Sequence, residues 1–220
     1  MIETIFSGFL FLFIILTLLI AERFGYSAIS DLDSETKLQE INKDAKKFKI
    51  GTMLALIEHG TIIALAITLF LTFNSFNITL AVIWTISRVT EGLANFYNEK
   101  NCWELLDIAR KYSASSGAEN QSLIEISRSI LKTKNRVLAF AQILFSIGTL
   151  SYSVLFATSE AVPVPSLIGW FGIVASILYG VANGIIIVKP DKARKFFVVG
   201  LLILIFELVL GGWLLISPLI

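Results

Sequence analysis

Six stretches of the chain are almost uninterruptedly apolar: residues 5–21, 50–73, 76–97, 137–158, 167–188 and 196–217. A helix rises about 1.5 Å per residue and a bilayer core is about 30 Å thick, so about 20 apolar residues make one crossing. The pattern therefore predicts an all-α, polytopic membrane protein, one six-transmembrane-helix bundle over residues 1–220. The first stretch is the shortest. Its leader, Met1-Ile2-Glu3-Thr4, carries an acid and no Lys or Arg, unlike the basic leader of a signal peptide. It reads as an uncleaved helix.

Polar positions supply the punctuation. Asn74-Ser75 separates the second and third stretches so briefly that they must form a tight antiparallel hairpin. Pro163 and Pro165 end the fourth helix and start the fifth, and Pro190 marks the turn between fifth and sixth. The connection after the third stretch is long, yet Leu105, Ile108, Ala109 and Tyr112 recur at helical spacing, as do Ile124, Ser127, Ile130 and Leu131. The third and fourth helices are expected to run on as a cytoplasmic helical hairpin broken at Ser115-Ser116-Gly117. The Asp-, Glu- and Lys-rich segment after the first stretch reads as a partly helical surface segment.

Charge orients the bundle. Every Lys and Arg except Arg88 falls in the 1–2, 3–4 and 5–6 connections. Basic residues in short loops resist translocation. Those three connections are expected in the cytoplasm and both termini outside, in a cell (inner) membrane, and an even number of crossings agrees. Composition adds exclusions. Hydrophobic residues make up 55%, charged residues 16%, and mean hydropathy is +0.79, which rules out a disordered chain and speaks against a soluble enzyme. A net charge of +1 excludes an overall nucleic-acid footprint. A single Cys (Cys102) and a single His (His59) exclude a disulfide framework, a multi-thiolate metal site and a bis-histidine haem.

Ionisable residues inside the apolar stretches carry the candidate chemistry: Glu58 and His59 in the second, Arg88 and Glu91 in the third, Glu207 in the sixth. A charge at mid-bilayer costs about 2.5–3.5 kcal/mol on insertion scales, so such groups face the bundle interior. At helical rise, Glu58 and Arg88 lie about 12 Å from the inner face and Glu207 about 16–17 Å. A Glu58–Arg88 pair across the hairpin is expected, with Glu91 able to pair with Arg88 at i,i+3. Trp84, Arg88, Glu91, Asn95 and Asn98 form one helical stripe. Tyr179, Asn183 and Gln142 fall in the same half. Together they predict a polar cavity open to the cytoplasm. It would bind or move a small solute or a proton, with Arg88 as anion anchor and Glu207 as the proton-labile group. The alternative is a non-catalytic scaffold or accessory subunit whose buried charges only fix packing. An intramembrane enzyme acting on lipid is the third reading.

Gly172, Ser176, Gly180 and Gly184 recur every four residues. Small residues so spaced let helices approach closely, within the chain, in self-association or against a membrane partner. Trp170, Trp213 and Trp103 are placed as interfacial anchors. No phosphate-binding loop, Asp-rich diphosphate motif or intramembrane protease pattern is found. No catalytic residue, metal or cofactor is singled out.

Two motifs bear on kinship. Ser87-Arg88-Val89-Thr90-Glu91-Gly92 resembles the Arg-x-x-Glu signature in the third helix of an uncharacterised bacterial and archaeal membrane family, domain of unknown function 4386. The stretch 164–172 resembles that family's Pro-x-x-x-Gly-x-x-Gly start of the fifth helix, through Pro165, Gly169 and Gly172. The sequence departs from the pattern just upstream, where Thr158-Ser159-Glu160 stands in place of a frequent basic residue. The resemblance implies a six-helix integral membrane protein and implies no activity.

Overall fold

Local sequence sets where each helix starts and stops. Asp33 accepts from the Thr36 amide at 3.3 Å to begin α2, Ser34–Lys43. Asp44 accepts from the Lys47 amide at 2.8 Å to begin α3, Ala45–Phe73. Asn77 accepts from the Leu80 amide at 3.1 Å to begin α4, Ile78–Ala114. A side-chain oxygen at this position satisfies an amide the first turn leaves unpaired. The other helices are α1, Ile2–Arg23; α5, Ala118–Thr158; α6, Ser166–Val188, which starts just after Pro165; and α7, Phe197–Ile216. This computed structural model describes residues 2–30, 33–189 and 197–217, and no strand occurs among them. The expected turn at Pro190, with Lys192, Arg194, Lys195 and Phe196, lies outside the described residues. Gly25 and Gly117, at φ +83° and +62°, supply the left-handed backbone that turns the chain after α1 and between α4 and α5.

Six helices close into a ring in chain order: α1, α3, α4, α5, α6 and α7, with α7 returning to α1. Neighbours run antiparallel, as paired contacts show. A Cβ at Gly92 would meet Ile63, one at Gly148 would meet Arg88, and one at Gly169 would strike the Ala157 backbone. Gly172 lies against Phe206, and Gly8 against Gly211 and Leu215. The short α2 packs on α3, α4 and α5 at one end. Around it a separate apolar core forms from Leu38, Ile41, Phe48, Leu105, Leu106 and Leu131. The larger core fills the other part of the ring with Phe11, Phe73, Trp84, Tyr152, Phe156 and Phe206.

The outside of the ring is apolar and the inside carries much of the polarity. Ile67, Leu71, Ile86, Leu93, Val174, Val181 and Leu208 are all exposed. So broad an apolar exterior marks a surface meant for something other than water. Among the described residues five segments, α1, α3, α5, α6 and Val198–Ile216 of α7, are long and apolar enough to cross a membrane. The sixth expected segment, in α4, falls short on composition. Its inward face holds Trp84, Arg88, Glu91, Asn95 and Asn98, all buried, while its outward face is Val82, Ile83, Ile86, Leu93 and Phe96. Average apolarity dilutes a helix whose polar stripe is turned inward. α4 and α5 run past their apolar segments and turn at 115–117.

Candidate functional site

The ring encloses a cavity of about 370 Å³ in the half that holds the end of α1 and the start of α7. Every ring helix contributes to its wall. Glu58 comes from α3, Arg88 and Glu91 from α4, Gln142 and Phe145 from α5, Tyr179 and Asn183 from α6, and Glu207 from α7. The remaining lining is mainly aliphatic, including Ile14, Leu18, Ile62, Ile203 and Leu204. A second depression, of about 460 Å³, lies at the surface between α1, α2 and α3. Its acids (Glu22, Glu40, Asp44) and bases (Arg23, Lys37, Lys43, Lys47) nearly balance at the surface, so we place the candidate site inside the ring, where Glu58, Arg88, Glu91 and Glu207 are buried.

Pairing within the cavity differs from the expectation. Arg88 does not reach across the hairpin to Glu58. Its Nη1 lies 2.8 Å from Glu91 Oε2 on its own helix, both side chains 2% exposed, close in distance though not aligned as a hydrogen bond. The guanidinium also stacks 4.4 Å over the Phe145 ring, and its stem fills the space that a side chain at Gly148 would need. Arg88 is thus committed on two sides and is no free anchor for an anion. Glu58 instead meets its sequence neighbour: Oε2 lies 2.5 Å from His59 Nδ1. Neighbours on a helix diverge by about 100°, but these two side chains are long enough to bend toward each other.

His59 links the cavity wall to a second polar cluster. Its Nε2 lies 3.2 Å from Glu99 Oε1, which also accepts from the Tyr26 hydroxyl at 2.7 Å. Burial first, then the nearby Glu99 charge, lifts the Tyr26 phenol well above its ordinary range, so Tyr26 donates at any physiological pH. Lys134, 2% exposed, donates to the Ser27 and Ala28 carbonyls and to Ser30 Oγ. Asn135 brackets the Ser30 backbone with bonds of 3.0 and 2.8 Å. Asn98 donates to the Lys134 carbonyl at 3.1 Å. This network clamps the segment after α1 onto α4 and α5.

Of the eight sequence-derived candidates, Arg88, Glu91, Glu58, Glu207, Tyr179 and Asn183 line the cavity. His59 stands behind Glu58. Asn95 is buried on the same face of α4 but away from the cavity wall. Glu99, Tyr26 and Lys134 escaped sequence reasoning, because Glu99 and Lys134 counted as loop charges. The available signal was spacing, since Glu99 lies four residues after Asn95 and extends the α4 stripe. Within the small-residue stripe, Gly172 receives Ser153 and Phe206, Ser176 donates to the Gly172 carbonyl, Gly180 faces Ser146, and a Cβ at Gly184 would meet open space. No group of three His, Cys, Asp or Glu residues able to hold a metal occurs among the described residues.

Residues 6–217 match one protein family, described as Domain of unknown function (DUF4386). No curated protein and no solved structure matches the chain.

Proposed function

The chain belongs to the DUF4386 family, whose description carries no activity, and from that premise we propose a six-crossing membrane protein that binds or translocates a small solute or proton in the cavity among Glu58, Arg88, Glu91 and Glu207. The observation that carries this reading is that Glu58, Arg88, Glu91 and Glu207, from three helices, line one cavity, and that Glu207 has no ion-pair partner there among the described residues. A bundle needing charges only for register would pack them shut. α4 serves as the sixth crossing, since its apolar outer face continues the ring's exterior. The basic connections lie in the cytoplasm of an inner-membrane protein and both termini lie outside, supported by the confinement of Lys and Arg to three connections. The cavity's half is then the cytoplasmic one.

Topology is tested by placing single cysteines at Lys46, Lys132, Ser75 and Glu160 in a Cys102→Ala background and labelling intact cells with an impermeant maleimide. Ser75 and Glu160 should label, and Lys46 and Lys132 should not. Labelling of Lys46 and Lys132 from opposite sides would end the proposal. A second reading, an accessory subunit, is favoured by the closed Arg88–Glu91 pair and the Lys134–Asn135 clamp. Filling the cavity by Ile62→Trp separates the two: a solute site loses its ligand-dependent gain in melting temperature, whereas a scaffold keeps its partners.

A further inference from the structure

Four carboxylates are buried among the described residues, Glu58, Glu91, Glu99 and Glu207, against three basic side chains, His59, Arg88 and Lys134. The pairing is uneven. Glu91 holds Arg88, while Glu58 and Glu99 share His59. Glu207 is 8% exposed, lines the cavity, and has neither a hydrogen bond nor an ion pair among the described residues. An unpaired buried carboxylate is costly. What the cavity lacks is positive charge. An anion would face four carboxylates, Glu22, Glu58, Glu91 and Glu207, and a guanidinium already taken by Glu91 and Phe145.

The walls say what the rest of the occupant resembles. Apart from the charged and amide side chains and the rings of Phe145 and Tyr179, they are aliphatic. The way in is equally specific. At one end α1 and α7 are pinned: a Cβ at Gly8 would lie 2.6 Å from the Leu215 amide nitrogen and 2.7 Å from the Gly211 carbonyl. At the other end Leu19 of α1 and Leu201 of α7 both line the cavity and are 51% and 45% exposed. Among the described residues the cavity therefore reaches the surface near the end of α1 and the start of α7, at a rim that is apolar apart from the exposed Glu22. A volume of about 370 Å³ sits at the small end of ligand pockets, which run from about 300 to 1,000 Å³.

We propose that the occupant is an amphipathic ammonium compound, one cationic head and one apolar chain, that enters from the bilayer between α1 and α7 and sets its head against Glu207. This rests on the solute-site reading above and names the ligand class. The head replaces the missing counter-charge. The chain lies along Leu18, Ile203 and Leu204 toward the opening. A free small cation would gain nothing from those walls, and a neutral amphiphile would leave Glu207 unpaired.

The test uses the full chain in detergent, with thermal unfolding followed by tryptophan fluorescence. Four probes are compared below their micellar concentrations: decyltrimethylammonium, decanol, decanoate and tetramethylammonium. The expected result is a saturable rise in melting temperature with decyltrimethylammonium at a concentration about tenfold or more below the other three, the scale of one charge-assisted contact. Glu207→Gln should reduce that compound to the level of decanol, and Glu207→Asp should retain part of the preference, which guards against a Gln variant that fails to fold. Leu201→Trp, which narrows the opening, should weaken both decyl compounds. Equal response to decanol and decyltrimethylammonium in the wild type overturns the ammonium class and leaves the cavity as a solute site. A response to tetramethylammonium equal to that of its decyl analogue overturns the amphipathic part. No saturable response to any probe overturns the inference and the solute-site reading together.

Discussion

Glu91→Gln is the perturbation with the clearest energetic consequence. Arg88 and Glu91 are each 2% exposed and 2.8 Å apart. Coulomb's law at that distance and an effective dielectric of about 20 gives about 6 kcal/mol of attraction. Burying each ion costs several kcal/mol, so the pair is close to break-even against an apolar substitute. Removing one partner is different. Arg88 cannot shed its charge, its direct contacts would be reduced to the Phe145 ring and Gly148, and Glu207 and Glu58 act on it only through space, without an ion pair. Glu91→Gln should therefore destabilise by about 3–5 kcal/mol. The cation–π contact to Phe145, worth about 2 kcal/mol when desolvated, is too small to hold the guanidinium in place. The double variant Arg88→Met/Glu91→Met should recover most of the loss or exceed the wild type, since replacing a buried pair by apolar residues is neutral or stabilising by about 1–4 kcal/mol. The assay is unfolding by SDS in mixed micelles, read by circular dichroism for the wild type, Glu91→Gln, Arg88→Met, Glu91→Met and the Arg88→Met/Glu91→Met double. Coupling of about 3 kcal/mol or more between the two positions supports the pair. A Glu91→Gln cost under about 1 kcal/mol, the level of an exposed pair, or strict additivity would refute the reasoning, because water would then have to reach Arg88.

The close approach of α5 and α6 makes Gly169→Ala costly, since its Cβ would lie 2.3 Å from the Ala157 nitrogen and 2.7 Å from its Cα, backbone that cannot give way; the expected loss is about 1–3 kcal/mol or more in the same assay. Gly184→Ala, with open space around it, is the matched control and should be neutral or gain up to about 1 kcal/mol from helix propensity. Lys134→Met should orphan the Ser27 and Ala28 carbonyls at about 1–3 kcal/mol each, and hydrogen exchange should accelerate across residues 24–30; unchanged exchange there would dismiss the clamp.

Sequence alone determined the class of the protein and most of its element order. Long apolar stretches can satisfy their backbones in lipid only as helices, and the Asn, Asp, Pro and Gly punctuation is read locally, so five membrane-length helices and the break at 115–117 were legible. Helical spacing also singled out the buried stripe of α4 and six residues that share the cavity wall. Tertiary structure decided what those residues do. Whether Arg88 turned to Glu58 or to Glu91 depended on side-chain reach and on the ring face of Phe145, which arrives from another helix. Spacing along one helix carries no information about such a neighbour. Glu99 and Lys134 looked like loop charges because their partners, Tyr26 and the carbonyls of residues 27 and 28, lie more than 70 positions away in the chain. The closure of α7 on α1, which sets Glu207 in the cavity wall without an ion-pair partner among the described residues, is likewise a property of the ring, since it joins the first and last helices.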